Sequence, residues 1–417
     1  MTNLCTDSTL APLILVDAYS TGAMLAQALA EQRPLLHVSS RSDMPPAFAA
    51  SCPLALFREN YNLHEEGLEV LLEKLAAQQP AAVLTGSEFG VELADLLAAR
   101  LGLPGNDPEY SAARRDKSLM AEQVASAGLP VAAQLRTASS TEALTWFRAR
   151  GGMPVVVKPL DSAGSDNVFI CTHEAQLHAA IDCILGSTNL MMRSNLAMLL
   201  QEYLEGDEYV INSVSHNGEH WITDVWKCTK ALTPDGRKIY DREDLLPAEA
   251  PELDTLVRYV EGVLDALSIS HGPAHTEVIL TAQGPRLLET GARLSGLANP
   301  SALQAATGND QITLTCTSYL EPQKLASLPK RYRLLQHARG MNLIARHRGA
   351  FMHTEIRQRL AALPSFHSAR LRLAEGCERT PTIDLNSSPG AVFLIHPSAD
   401  RINQDHQAWR EWEKDWL

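Results

Sequence analysis

The chain has 417 residues, 45% of them hydrophobic and 20% charged, and a formal net charge of −13. That is room for roughly two to three domains with a large core, at a composition ordinary for soluble globular proteins. The negative balance disfavours nucleic acid and anionic membrane surfaces as partners, and no apolar run approaches the roughly 20 residues of a membrane span.

A polyanionic substrate would have to be held by local positive charge, so lysines in glycine-rich settings are worth following. The opening segment MTNLCTDSTLAPLILVDAYS has no basic stretch before its apolar run, which stops at Asp17, so no secretory leader is expected. The seven cysteines, at 5, 52, 171, 183, 228, 316 and 377, form no C-x-x-C pair. Reduced thiols in a cytoplasm fit this pattern, and none is assigned a catalytic role.

In chain order, residues 12–110 alternate strand and helix. PLILVDA is a strand feeding a helix entered through Ser20-Thr21-Gly22. LLHVSS, EEGLEVLLEKLAAQQ, AAVLTG and VELADLLAARLG follow as strand, helix, strand and helix, stopped by LPGN. This alternation predicts an α/β domain, a doubly wound parallel sheet with ligands at the carboxyl ends of its strands. Asp17 and Glu88 stand at such ends. Glu88 admits two readings, a helix N-terminal acid favoured by the dipole or a substrate contact.

Residues 111–200 form a second block. SAARRDKSLMAEQVASAG is a helix, PVAAQLR a strand, STEALTWFRAR a helix capped by Ser139/Ser140, and PVVVKPL and NVFICT two further strands. In QEYLEGDEYV a tight E-G-D turn joins two strands, and Asn217-Gly218 is a two-residue hairpin signal. That hairpin pairs His216 with Glu219 and, carried down the ladder, Glu208 with Lys227 and Tyr209 with Trp226. Residues 232–252, LTPDGRKIYDREDLLPAEAPE, are polar with prolines and read as a long exposed loop. After about residue 322, mixed short strands lead to an amphipathic helix, DHQAWREWEKDWL.

Chemistry concentrates in HTEVILTAQGPRLLETGARLSG, 275–296, which reads as a hairpin turning around Gln283-Gly284. Symmetry about Gln283 sets Glu277 opposite Glu289. Two facing carboxylates repel unless a divalent cation such as Mg²⁺ lies between them, bringing substrate phosphates with it. The period of two adds His275, Gly291 and Arg293 to the same face. A solvated surface hairpin is the plainer alternative for such a spacing taken alone.

Upstream, VVVKPLDSAGSDNV brings Lys158 to the end of a buried-type strand and then a small-residue loop, Ser162, Ala163, Gly164 and Ser165. Small residues let backbone N–H groups approach phosphate oxygens. This is no Walker motif, because the lysine precedes the loop and no helix follows. Lys117 could reach the same phosphates or be a solvated helix lysine. QEYLEGDEYV could present backbone groups to an adenine edge and a carboxylate to ribose, or be a plain edge hairpin.

The order K117…K158-P…S-A-G-S…Q-E-Y-L-E-G-D-E…H-x-E…L-L-E-x-G-A-R-L-S-G closely resembles the ATP-grasp superfamily over roughly residues 1–320. The resemblance implies an N-terminal doubly wound domain (1–115), an ATP-grasp domain (116–322) with a small α+β lid at about 125–200, and a C-terminal α+β subdomain (323–417). It implies that Lys117, Lys158 and the loop Ser162, Ala163, Gly164 and Ser165 hold the triphosphate of ATP. Glu202, Tyr203 and Leu204 would take adenine, Glu208 and Lys227 would also line the nucleotide, and Glu277 and Glu289 would bind Mg²⁺, or Mn²⁺ in its place. Many members carry an asparagine where Gly291 stands. The L-amino acid ligases, including bacilysin-type dipeptide synthetases, have a small residue there followed by A-R. Arg293 then corresponds to the arginine that stabilises the oxyanion, and Glu88, Trp226, His275 and Gly296 fall toward the amino-acid side.

The implied reaction is phosphorylation of a carboxylate by ATP, then attack of an amine on the acyl phosphate, with amino acids as small-molecule substrates and a cytoplasmic homodimer as the expected form. Biotin-carboxylase-like and purine-pathway ligases share the chassis. A D-alanine–D-alanine-type ligase is usually shorter, and a non-catalytic ATP-binding regulator is the alternative from another class.

Overall fold

The computed structural model describes residues 10–164, 166–232 and 238–417; Ser165 lies outside them. The N-terminal sheet is parallel, in the order Glu59–Asn62, Leu35–Ser39, Leu13–Val16, Ala82–Thr85. Leu13–Val16 is buried at all four positions, as an apolar run covered on both faces requires. The edge strand Glu59–Asn62 was not expected: with one buried residue, Tyr61, it lacks the apolar signature and is recruited by its neighbour.

Strand order reverses between Leu13–Val16 and Ala82–Thr85, which opens the crevice where such sheets bind ligands. The helices Thr21–Ala30 and Val91–Leu101 follow these two strands. Their connections are held close by glycine, since a Cβ on Gly22 would lie 2.1 Å from the Gly86 carbonyl oxygen.

The second sheet is antiparallel, ordered Gln134–Thr137, Met198–Glu202, Val155–Pro159, Phe169–Cys171. The helices Ser140–Ala149 and Glu174–Ile184 cover it with a core of their own, including Phe147, Val155, Val157, Leu177 and Ile181. The third sheet has eight strands: Gly284–Gly291, Gly272–Thr281, Asp207–His216, Glu219–Leu232, Lys238–Leu245, His337–Asn342, Gly390–His396 and Phe366–Leu371. The helix Leu253–Ala266 packs on it through Leu256, Val257, Val260 and Val263.

Two expectations are corrected here. Much of the presumed loop at 232–252 is the mid-sheet strand Lys238–Leu245; residues 233–237 lie outside the described set. Its polar sequence is compatible with burial because partners converge on it, Arg410 on Asp241 (2.8 Å) and Arg339 on Asp244 (2.5 Å). The helix anticipated from Ser111 begins at Lys117, where the Asp116 carboxylate caps the N–H groups of Ser118 and Leu119. Just before it, the buried Arg114 binds Asp95 (2.7 Å) and the Leu267 carbonyl (2.7 Å), tying the helix Val91–Leu101 to the end of the helix Leu253–Ala266. Among the described residues no helix is long and apolar enough to cross a membrane.

Candidate active site

Glu277 and Glu289 do face each other, but not by simple hairpin symmetry. Thr281 opposes Gly284, so Ala282 and Gln283 form the turn, and an irregularity that leaves Leu288 unmatched restores the Glu277–Glu289 pair. Lys117 Nζ lies 2.7 Å from a Glu289 oxygen and donates to the Ser162 carbonyl at 2.7 Å. Burial alone would raise the Glu289 pKa, yet the ammonium groups of Lys117 and Lys158 hold it below the usual range.

Lys158, 7% exposed, donates to Gln201 Oε1 at 3.0 Å. Burial, with Lys117 adding to it, lowers its pKa to about 8 against the pull of Glu289, Glu277 and Glu208. In the loop beyond it, Ser162 donates to Asp166 (2.7 Å), and Gly164 takes φ +66° with the Asn386 side chain 3.2 Å from where a Cβ would be. Ala163 lies between them.

A second irregularity, at Thr223, moves the Asn217-Gly218 ladder by one residue. Glu208 therefore faces Cys228, Lys227 faces Tyr209, and Trp226 faces Val210. Lys227 is turned to the opposite face, where it pairs with Asp207 at 2.7 Å, and the cation beside Glu208 is Lys230, at 2.6 Å. The Tyr240 hydroxyl donates to Glu208 at 2.6 Å. Lys230 and Tyr240 were both missed, the first because nothing in the sequence marks the bulge, the second because its strand reads as loop. Glu243, opposite Cys228, has its pKa raised to about 7 by burial and by Glu208 and Glu277.

At the end of Met198–Glu202 the Glu202 carboxylate is engaged by the Ala133 N–H (2.9 Å) and Arg150 (2.7 Å). Tyr203 N–H bonds the Pro154 carbonyl (3.2 Å), and Leu204 follows at the strand exit. Both Glu202 carboxylate oxygens are thus engaged within the protein.

Glu88 stands in a triad: its Oε1 accepts from Arg115 and its Oε2 from Arg293 Nε (2.7 Å). Burial opposes its charge, but Arg115 and then Arg293 hold its pKa down to about 2. A Cβ on Gly291 would come within 2.9 Å of Glu88 Oε2 and 3.2 Å of Arg293 Cζ, so glycine keeps this approach open. Arg115 was missed although it lies two residues before Lys117.

His275 Nδ1 bonds Asn212 (2.8 Å) and its Nε2 lies 3.5 Å from Glu277. Asn212 continues to the buried Asp224 (2.5 Å), which also accepts from Trp226 Nε1 (2.5 Å). Trp226 is 4% exposed and meets Phe393 edge-on, ring centroids 6.3 Å apart. It is a core residue with a polar tether. Trp226→Ala should therefore cost about 3–5 kcal/mol of stability, read from a denaturant midpoint, before any effect on substrate choice. Gly296 is exposed, with no atom within 4 Å of a built Cβ.

Comparison with known proteins identifies the family. The ATP-grasp domain family matches residues 151–301. Dapdiamide A synthase of Enterobacter agglomerans is 33% identical over 97% of this chain and 96% of its own length. Carnosine synthase 1 of Gallus gallus is 28% identical over 75% of this chain, which spans 36% of that larger protein. The crystal structure of an L-amino acid ligase from Bacillus licheniformis superposes with a TM-score of 0.73 at 17% identity, covering 96% of this chain and 97% of that one. On the whole-length match to the synthase and on this fold, the chain belongs to the ATP-grasp carboxylate–amine ligases, enzymes that use ATP to form amide bonds.

Proposed function

We propose that the chain joins the carboxylate of one amino acid to the amine of a second, as a dipeptide or a dipeptide-like amide. The observation that carries this reading is the close approach of Arg293 and Glu88 to Gly291, next to the facing Glu277 and Glu289. Charged groups for a carboxylate thus adjoin those for a metal-bound phosphate. The name of the whole-length relative, dapdiamide A synthase, points the same way.

The γ-phosphoryl group of ATP passes to the donor carboxylate, its bond to ADP breaking as the acyl phosphate forms. The amine nitrogen then attacks the acyl carbon, loses a proton, and inorganic phosphate leaves. Glu277 and Glu289 would hold Mg²⁺, which, when bound, neutralises phosphate charge and aligns the transfer. Their donor set fits: two facing carboxylates offer oxygen ligands, and phosphate oxygens would complete the shell. Lys117, Lys158, Ser162, Ala163, Gly164 and Ser165 take the phosphates. The strand exit at Glu202, Tyr203 and Leu204 takes the base, and Glu208, with Lys230 and Tyr240, the ribose side. Arg293 stabilises the oxyanion as the amine attacks. His275 orients Glu277, and Gly296 borders the amino-acid side. The domain limits 1–115, 116–322 and 323–417, a homodimer and a cytoplasmic setting complete the proposal.

A screen of amino-acid pairs with Mg-ATP, following phosphate release and product mass, tests the reading. A product one water lighter than a pair of amino acids is the expected result. ATP consumed only with a non-amino-acid carboxylate would refute it.

Lys158 adds a pH dependence. With its pKa near 8 in the free protein, part of the lysine is neutral at mildly alkaline pH. ATP favours the charged form, so binding raises this pKa and takes up a proton. Affinity should therefore weaken as pH rises from 7 to about 9, with proton uptake visible by calorimetry in buffers of different ionisation enthalpy. Lys158→Arg should remove the uptake.

A further inference from the structure

The triad of Arg115, Glu88 and Arg293 carries an inference beyond the reaction itself, resting on the reading that the acceptor is an amino acid. An acid at the position of Glu88 invites assignment as the receptor of a substrate ammonium group. The charges argue otherwise. One carboxylate lies between two guanidinium groups, so the triad has a net charge of +1, and both Glu88 oxygens already accept from arginine. The neighbouring Lys117–Glu289 pair is neutral and does not reverse the sign. A further cation is repelled here and an anion is attracted.

Donor capacity says the same. Arg115 is 7% exposed, yet among the described residues only its Nη1 has a partner, Glu88, although a guanidinium carries five N–H donors. Arg293 uses Nε on Glu88 and Nη1 on the Leu294 carbonyl (2.9 Å), leaving Nη2 without a partner among the described residues. Two largely buried guanidinium groups with spare donors, held apart by a shared carboxylate, make a fork suited to a carboxylate. Their order fixes which one. Arg293 borders Gly291, two residues beyond Glu289 on the metal face, and serves the reacting carbon. Arg115 engages the other Glu88 oxygen, Oε1, and not the one that Arg293 holds.

We propose that Arg115 binds the free α-carboxylate of the amine-donating amino acid, and that Glu88 is a positioning residue that sets the spacing of Arg115 and Arg293. The enzyme would then select amino acids, whose carboxylate survives into the product, over simple amines.

The test compares, for any donor that supports turnover, an amino acid acceptor with its α-carboxamide, in wild type, Arg115→Ala and Arg115→Lys. Arg115→Ala should raise KM for the free acid by at least about thirtyfold, the low end for truncating one partner of a desolvated charge pair. KM for the carboxamide and for ATP should stay within about threefold, because the carboxamide offers this group no negative charge and ATP does not meet it. Arg115→Lys, which keeps a charge beside Glu88, should recover part of the loss and carries the test if the alanine variant does not fold. Equal losses for acid and carboxamide would overturn the proposal, since they would mean that Arg115 only holds Glu88 in place. A rise confined to ATP would overturn it in favour of a phosphate site. A wild-type enzyme that accepts simple amines and no amino acid would instead refute the dipeptide reading itself.

Discussion

Glu289→Gln is expected to abolish ADP formation while the protein remains folded. The carboxylate at 289 is half-buried, faces Glu277 across the strand pair, and is kept ionised by Lys117 and Lys158. Glutamine keeps the shape and can still accept from Lys117, which retains its bond to the Ser162 carbonyl. No cavity opens and no ammonium is stranded, so the melting temperature should change little. The charge that draws a divalent cation against Glu277 is halved, however, and metal-based charge stabilisation of several kcal/mol corresponds to about a thousandfold or more in rate. The measurement is ADP release at saturating Mg-ATP, with circular dichroism as the check on folding. Activity near wild type would remove Glu289 from the metal site.

The carboxylate pair at 277 and 289 was legible in the sequence because two departures from ideal register cancelled. The turn is one residue earlier than symmetry about Gln283 implies, and the unmatched Leu288 returns the strand to phase. No such cancellation occurs in the neighbouring hairpin. There the extra residue at Thr223 changes which side chains share a face, so Lys227 leaves the site and Lys230 enters it. A bulge shifts register by one residue, and one residue inverts every face beyond it. Periodicity alone cannot locate it, because Thr223 is as good a strand former as its neighbours.

The two missed strands have a different cause. Lys238–Leu245 and Glu59–Asn62 are polar strands whose stability comes from long-range partners, Arg410 and Arg339 for the first and the strand Leu35–Ser39 for the second. Local composition carries no trace of a partner elsewhere in the chain, 95 residues away for Arg339 and 169 for Arg410. Alternating segments with strong apolar runs, such as Leu13–Val16 and Ala82–Thr85, were legible because burial on both faces writes itself into every position.

Arg293→Lys should separate the two chemical steps. Arg293 reaches Glu88 through Nε and the Leu294 carbonyl through Nη1, which fixes the plane of the guanidinium and leaves Nη2 for the reacting centre. Lysine supplies a charge of the same sign but neither the plane nor the second donor, so it cannot hold Glu88 and reach an oxyanion together. Loss of one preorganised oxyanion donor is worth roughly 2.7–4 kcal/mol, or about 10²–10³ in the rate of amide formation. Nucleotide affinity should change little, because the phosphates are served by Lys117 and Lys158. In a single turnover the variant should still release ADP and accumulate an acyl phosphate that hydroxylamine traps as a hydroxamate, while amide appears slowly. The opposite pattern, in which nucleotide binding collapses and bound substrates still react at the wild-type rate, would place Arg293 at the phosphates rather than at the carbonyl. Gly291 favours the first outcome: its missing Cβ lets Glu88 and Arg293 pack directly against the strand end, whereas the loop carrying Ser162 and Gly164 is held by Lys117 and Asn386.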